Sequence, residues 1–143
     1  MFDPITLTRR RRPGVVLLVD DYTESRATVR ELLENNGYEV VEAAHGQQAL
    51  DFLVSSPEPP VQLIVLDLQM PIMNGYQFLT LLGNYVRLST IPVLVVSAHA
   101  APSHQETYRN VIGYLRPPYQ AEELLTLVNA RCSQPAGHAE PGS

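Results

Sequence analysis

Three strand-like runs in this chain end in side chains that can do chemistry. Val15–Val19 runs into Asp20-Asp21, Gln62–Leu66 runs into Asp67, and Ile91–Val96 runs into Ser97. Carboxylates packed together repel, and each resists ionising without a compensating charge. A divalent cation is the natural remedy, and Mg²⁺ suits an all-oxygen site with one or two direct carboxylates and several waters. A carboxylate beside such a metal can attack a phosphoryl group and hold it as an acyl phosphate. Positioning and charge neutralisation then supply most of the catalysis, and Ser97 can donate its hydroxyl to the new phosphate. The plainer alternative makes each aspartate a helix N-cap or a turn residue. Three of them at one sheet edge favour the metal-and-phosphoryl reading over that alternative.

For these residues to meet, the chain must place the ends of several strands side by side. From residue 14 onward, short apolar runs alternate with helix-period segments, the pattern of βαβ units and a parallel sheet. The first run, Gly14 to Val19, is continuous, as expected of a strand buried on both faces. Thr23 offers an N-cap to a helix striped by Val29, Leu32 and Leu33, which Gly37 stops. Glu39–Ala43 reads as the second strand. Gly46 opens a helix with Leu50, Leu53 and Val54 on one face, closed by the proline-rich 55–60 stretch. The third strand is Gln62–Leu66, and a helix over 76–82 follows the turn at 70–75. Residues 83–90 carry little pattern. The fourth strand is 91–96, a brief helix falls within 102–109, and the fifth strand is 111–115. Ala121, Leu124, Leu125 and Val128 stripe the last helix. In such a doubly wound sheet, ligands bind beyond the carboxyl ends of the strands, near the switch in strand order.

Composition narrows the class. The chain has 143 residues, enough for one domain with a real core, and a single cysteine, Cys132, which excludes an internal disulfide framework. Its longest apolar runs fall far short of the roughly 20 residues that span a bilayer, and it shows no signal-peptide pattern. A soluble cytoplasmic protein is expected. Fifteen acids oppose ten bases, all of them arginine, for a net charge of −5. This balance argues against nucleic-acid binding, which needs a dominant basic surface. The exception is Arg9–Arg12, read as part of a solvated leader, with a phosphate-touching arm as the alternative. The expected organisation is a flexible basic arm over 1–13, one domain over 14–132, and a disordered tail over 133–143. His45, His99, His104 and His138 have no ligand-like spacing.

At its acidic residues the chain resembles the receiver domains of two-component response regulators, over about Val15 to Val128. Val19-Asp20-Asp21 resembles the acidic pair, and residues 65–75 (VLDLQMPIMNG) resemble the phosphoacceptor segment, with Asn74 where an Asp is usual. Residues 91–98 (IPVLVVSA) resemble the strand ending in the switch hydroxyl, and Gly113-Tyr114-Leu115 the start of the strand with the switch aromatic. The resemblance implies a flavodoxin-like fold, a five-stranded parallel sheet in the order 2-1-3-4-5 with helices on both faces. It implies phosphorylation of Asp67 by the phosphohistidine of a sensor histidine kinase or phosphotransfer protein. Asp21 and Asp67 would ligate Mg²⁺, with Asp20 helping through water and the Gln69 carbonyl completing the set. Ser97 and Tyr114 would form the switch. Their movement would remodel the face made by the 102–109 segment, the fifth strand and the last helix, where a downstream protein or a second copy would dock. Such a domain phosphorylates and slowly dephosphorylates itself and is no enzyme beyond that.

The pattern breaks once. Where the family reads Tyr-Leu-x-Lys-Pro-Phe, this chain reads Tyr114-Leu115-Arg116-Pro117-Pro118-Tyr119, so Pro117 stands at the lysine position and the chain holds no lysine at all. The missing ammonium would make a charge-assisted contact with a phosphoryl oxygen worth about 1.5–3 kcal/mol. Arg116 is the candidate substitute, and the resemblance implies a cis Pro117–Pro118 bond. Tyr108, Tyr114 and Tyr119 are expected to cluster toward the output face. Two functions compete: a stand-alone phosphorylated receiver, and a pseudo-receiver that binds protein regardless of phosphate. An aspartyl phosphatase is disfavoured because Leu68-Gln69 follow Asp67, leaving no general acid two residues on. A flavodoxin is disfavoured because no Ser/Thr/Gly-rich phosphate loop follows the first strand.

Overall fold

A strand covered on both faces needs apolar residues at every position, and β1 (Val15–Val19) is buried along its whole length. The computed structural model describes residues 15–55, 61–68, 74–98 and 110–132. Beside β1 lie β2 (Glu39–Ala43), β3 (Val61–Leu66), β4 (Val93–Val96) and β5 (Val111–Leu115), all parallel, in the order β2-β1-β3-β4-β5. The described helices are α1 (Thr23–Asn35), α2 (Gly46–Ser55), α3 (Gly75–Gly83) and α4 (Ala121–Arg131). The expected sheet, its order and its doubly wound connection are therefore present. The 1–13 arm, the 102–109 helix and the 133–143 tail lie outside the described residues.

Successive strand residues point to opposite faces, and the core divides accordingly. Leu17, Val19, Ile64, Leu66, Val93 and Val95 pack against Ala49, Leu50 and Leu53 of α2 and Phe78, Leu79 and Leu82 of α3. Val16, Leu18, Leu63, Val65 and Leu94 pack against Val29 and Leu33 of α1 and Leu124 and Val128 of α4. Each fully buried large aliphatic or aromatic side chain contributes about 1.5–3 kcal/mol. On the second face, the Tyr38 hydroxyl donates to Asn129 and ties the start of β2 to α4.

Four local expectations are corrected. Thr23 is the first residue of α1 rather than its cap: Tyr22 is the N-cap, without a side-chain cap bond, and its carbonyl accepts from Arg26 N at 3.0 Å. Val54 is 46% exposed, since Gly46, Ala49, Leu50 and Leu53 already fill the buried stripe of α2. Ala121 is exposed at the first turn of α4, whose buried residues are Leu124 and Val128. Finally, β4 begins at Val93 and not at Ile91, because Pro92 has no N–H to give the ladder; its carbonyl accepts from Ile64 N at 3.0 Å. As expected, α1 ends before a positive-φ glycine, Gly37 (φ 93°).

Candidate functional site at the carboxyl ends of the strands

The ladders that build the sheet also place the chemistry. Just past β1, Asp20 N donates to Ala43 O of β2 at 3.1 Å; just past β3, Asp67 N donates to Val19 O of β1 at 3.0 Å; just past β4, Ser97 N donates to Leu115 O of β5 at 3.1 Å. Each functional residue is thus the first beyond a strand and is still bonded to the neighbouring one. Because β1, β3 and β4 are adjacent, the residues converge: Asp20, Asp21 and Asp67 each bring a carboxylate oxygen to within 4.8 Å of the others. Asp20 and Asp67 are half-buried and Asp21 is exposed. Ser97, only 3% exposed, lines the same cavity of about 400 Å³ as Asp20 and Asp67.

Asp20 is engaged at every polar group. Its Oδ1 accepts from Tyr22 N at 2.9 Å and its Oδ2 from Ser25 Oγ at 2.5 Å. Its carbonyl accepts from Arg26 Nη1 at 2.7 Å, while Arg26 Nε reaches Glu42 Oε1 on β2 at 2.9 Å. Such half-exposed ion pairs contribute little stability, about 0.2–1 kcal/mol; the consequence here is a fixed backbone at the acidic pair. Asp21, by contrast, has no hydrogen-bond partner among the described residues.

Asp67 is fixed from the other side by the entry to α3. Gly75 N donates to Leu68 O at 2.8 Å. A Cβ at Gly75 would lie 2.5 Å from Leu68 Cα and 3.0 Å from Asp67 O, so only glycine permits this approach. Asn74 then starts the helix with a capping box, its side chain accepting from Gln77 N at 2.9 Å while Gln77 Oε1 accepts from Asn74 N at 3.0 Å.

The remaining predicted residues scatter. Gln69 lies outside the described residues, as do His99, His104 and Tyr108. Tyr114 is half-buried and packs with the α2–α3 side of the core, off the cavity wall. Tyr119 packs with the α1–α4 side, so these two tyrosines do not form one cluster. Arg116 is exposed and is not among the residues lining the cavity, whereas Pro117 and Tyr119 are. The Pro117–Pro118 bond is cis, as the resemblance implies. His45 caps α2, its Nδ1 accepting from Gln48 N at 3.3 Å, which is a structural role.

Ser25, Arg26, Gly75 and Tyr119 are the positioning and lining residues that sequence reasoning did not single out as part of the site. Ser25 and Arg26 carried a readable signal, since both fall on the first turn of the helix after the acidic pair. Gly75 carried one too, as the glycine between a strand-end aspartate and a helix.

The donor set is oxygen-only and acidic and lies at the strand-order edge, so it fits a Mg²⁺ ion. Known proteins share this architecture. A family model for the response regulator receiver domain matches residues 16–129. Over 116 residues the chain is 28% identical to the sensor histidine kinase CheAY of Helicobacter pylori, covering 80% of this chain and 14% of that one. It is 35% identical over 91 residues to the two-component response regulator ORR11 of Oryza sativa, covering 64% and 60%. The chain therefore spans less than two thirds of the length of either relative. Among solved structures it is similar to the chemotaxis protein CheY4 of Vibrio cholerae (28% identity, TM-score 0.71, 82% of this chain and 98% of that). It is also similar to the receiver domain of the Francisella response regulator 1452 (25% identity, TM-score 0.71, 82% and 94%). No described helix is long and apolar enough to cross a membrane. With the motifs in order, the sheet in the expected order and the acids together at its edge, the chain belongs to the response regulator receiver domain family of two-component signalling.

Proposed function

We propose that this domain accepts a phosphoryl group on Asp67 from the phosphohistidine of a sensor histidine kinase or phosphotransfer protein in the cytoplasm. The observation that supports this reading best is the meeting of the Asp20, Asp21 and Asp67 carboxylates beside buried Ser97. Asp67 Oδ attacks phosphorus, the P–N bond to the donor imidazole breaks, and an acyl phosphate remains on Asp67. Asp21 and Asp67 would be the direct ligands of a Mg²⁺ ion, and Asp20, engaged by Ser25 and Tyr22, would act through water. When bound, the metal neutralises charge on the phosphoryl oxygens. Ser97 donates its hydroxyl to the new phosphate, and Tyr114 follows it inward to alter the face around β5, where a downstream protein or a second copy docks. The domain's own chemistry is limited to its phosphorylation and slow dephosphorylation.

The test is mass spectrometry after incubation with Mg²⁺ and acetyl phosphate. Wild type is expected to gain one phosphoryl mass that Asp67→Asn lacks. An adduct that survives Asp67→Asn overturns the assignment. The second reading, a phosphate-independent binding module, is favoured by Pro117 on the cavity wall, which offers neither charge nor N–H. It predicts a protein partner whose affinity is the same before and after treatment with the phosphodonor.

A further inference from the structure

The cavity beside Asp67 has a chemical asymmetry. Among the described residues, none that lines it carries a positive charge. A phosphoryl group on Asp67 would bring further negative charge to a place that already holds Asp20. Its oxygens need hydrogen-bond donors, and four of the described lining side chains have hydroxyls: Tyr22, Ser25, Ser97 and Tyr119. Tyr22 is committed to Glu24 Oε1 at 3.2 Å and Ser25 to Asp20 Oδ2. Ser97 serves from the β4 side. Tyr119 comes from the β5 side, next to Pro117, and no hydrogen bond among the described residues engages its hydroxyl. Its ring packs on the α1–α4 core, which anchors it there.

From this placement, and resting on the phosphoacceptor reading of Asp67, we infer that the Tyr119 hydroxyl is the donor that the β5 side of the cavity presents to a phosphoryl oxygen. Burial, and secondarily the charge of Asp20, hold the Tyr119 phenol above its ordinary value of 10.0. The hydroxyl therefore keeps its proton throughout the physiological range and donates. A phenol brings no charge, so the cavity accepts a phosphate without a buried cation that would need pairing in the unphosphorylated state. Arg116, exposed and off the cavity wall, would have to reorient to serve the same oxygen.

Beryllofluoride, a phosphoryl mimic, tests the inference in the full chain with Mg²⁺ present, followed by fluorine NMR titration. Tyr119→Phe keeps the ring and its packing and removes only the donor. It is expected to bind the mimic about 10-fold more weakly, the size of one hydrogen bond to a charged group, with unchanged thermal stability. Tyr119→Phe that binds as wild type does overturns the inference. So does a loss confined to Arg116→Ala, which would give the donor role to Arg116. A wild type that takes up no beryllofluoride, or an Asp67→Asn variant that takes it up equally, overturns the phosphoacceptor reading together with this one. Wild-type binding with an intact Tyr119→Phe overturns this one alone.

Discussion

The two walls of the cavity are built differently. On the β1–β3 side Asp20 and Asp67 are each fixed more than once, while Asp21 stands exposed between them and solvent. Asp20 is bonded through its N–H, its carbonyl and both carboxylate oxygens, and Asp67 is bounded by the β1 ladder and the glycine contact of α3. On the β5 side, Arg116, Pro117 and Pro118 are exposed, and the wall consists of Pro117 and the half-buried Tyr119. The first wall carries the acidic charge; Pro117 and Tyr119, the described lining residues of the second, carry none. On the proposed reading, capture of a phosphoryl group would depend on the first wall, and its conversion into an altered surface on the second.

The largest expected effect comes from removing the acceptor itself. Asp67→Asn should abolish phosphoryl uptake from acetyl phosphate, read by intact-protein mass spectrometry. It should leave the fold in place, since the Asp67 backbone N–H still reaches Val19 O. Next comes Asp21→Ala, which removes the exposed carboxylate that no described residue engages. Mg²⁺ affinity by titration calorimetry should fall by more than the roughly 10- to 100-fold that loss of an outer-shell partner costs. Equal affinity would make the acidic pair structural and erase the contrast between the walls.

Much of the first wall was legible in the sequence because strand ends announce themselves. An apolar run that stops at an aspartate fixes both the strand boundary and the edge at which the aspartate stands. Two periods, one of helix and one of strand, suffice to place Asp20, Asp67 and Ser97 at one edge. The Thr23 cap was misplaced by one residue: the Tyr22 carbonyl accepts from Arg26 N, which puts Thr23 inside the first turn. The start of β4 failed because Pro92 lacks a donor. The second wall was poorly legible for a different reason. After β5 there is no periodic pattern through 116–120, and nothing in a proline pair tells which of Arg116 or Tyr119 faces the cavity. Tyr119 was therefore grouped with Tyr114, although the two pack on opposite sides of the sheet.

Gly75→Ala tests how rigid the first wall is. The added methyl would stand 2.5 Å from Leu68 Cα, a backbone atom that cannot swing aside as a side-chain tip can. Overpacking of this kind costs about 1–3 kcal/mol, and urea unfolding should show it as a lower midpoint with the same slope. Because the strain falls on the Asp67–Leu68 backbone, the phosphoryl uptake rate should drop as well. An alanine variant with wild-type stability and uptake would show that the close approach of α3 is incidental.

The smallest expected effect lies beneath the second wall. Cys132 joins Tyr119, Leu124 and Val128 in the α1–α4 core and is 5% exposed. Burial pushes its thiol up to about 11, because the thiolate would sit in apolar surroundings. The sign follows from linkage: above the ordinary thiol value the unfolded chain loses a proton that the folded chain keeps, so stability declines as pH rises toward 11. Chemical unfolding at several alkaline pH values should show a larger decline for wild type than for Cys132→Ala. At neutral pH the native thiol should also resist alkylation by iodoacetamide until urea opens the domain. Rapid modification without loss of structure would show that water reaches this core, and that the β5 wall is loose down to its foundation and not only at its rim.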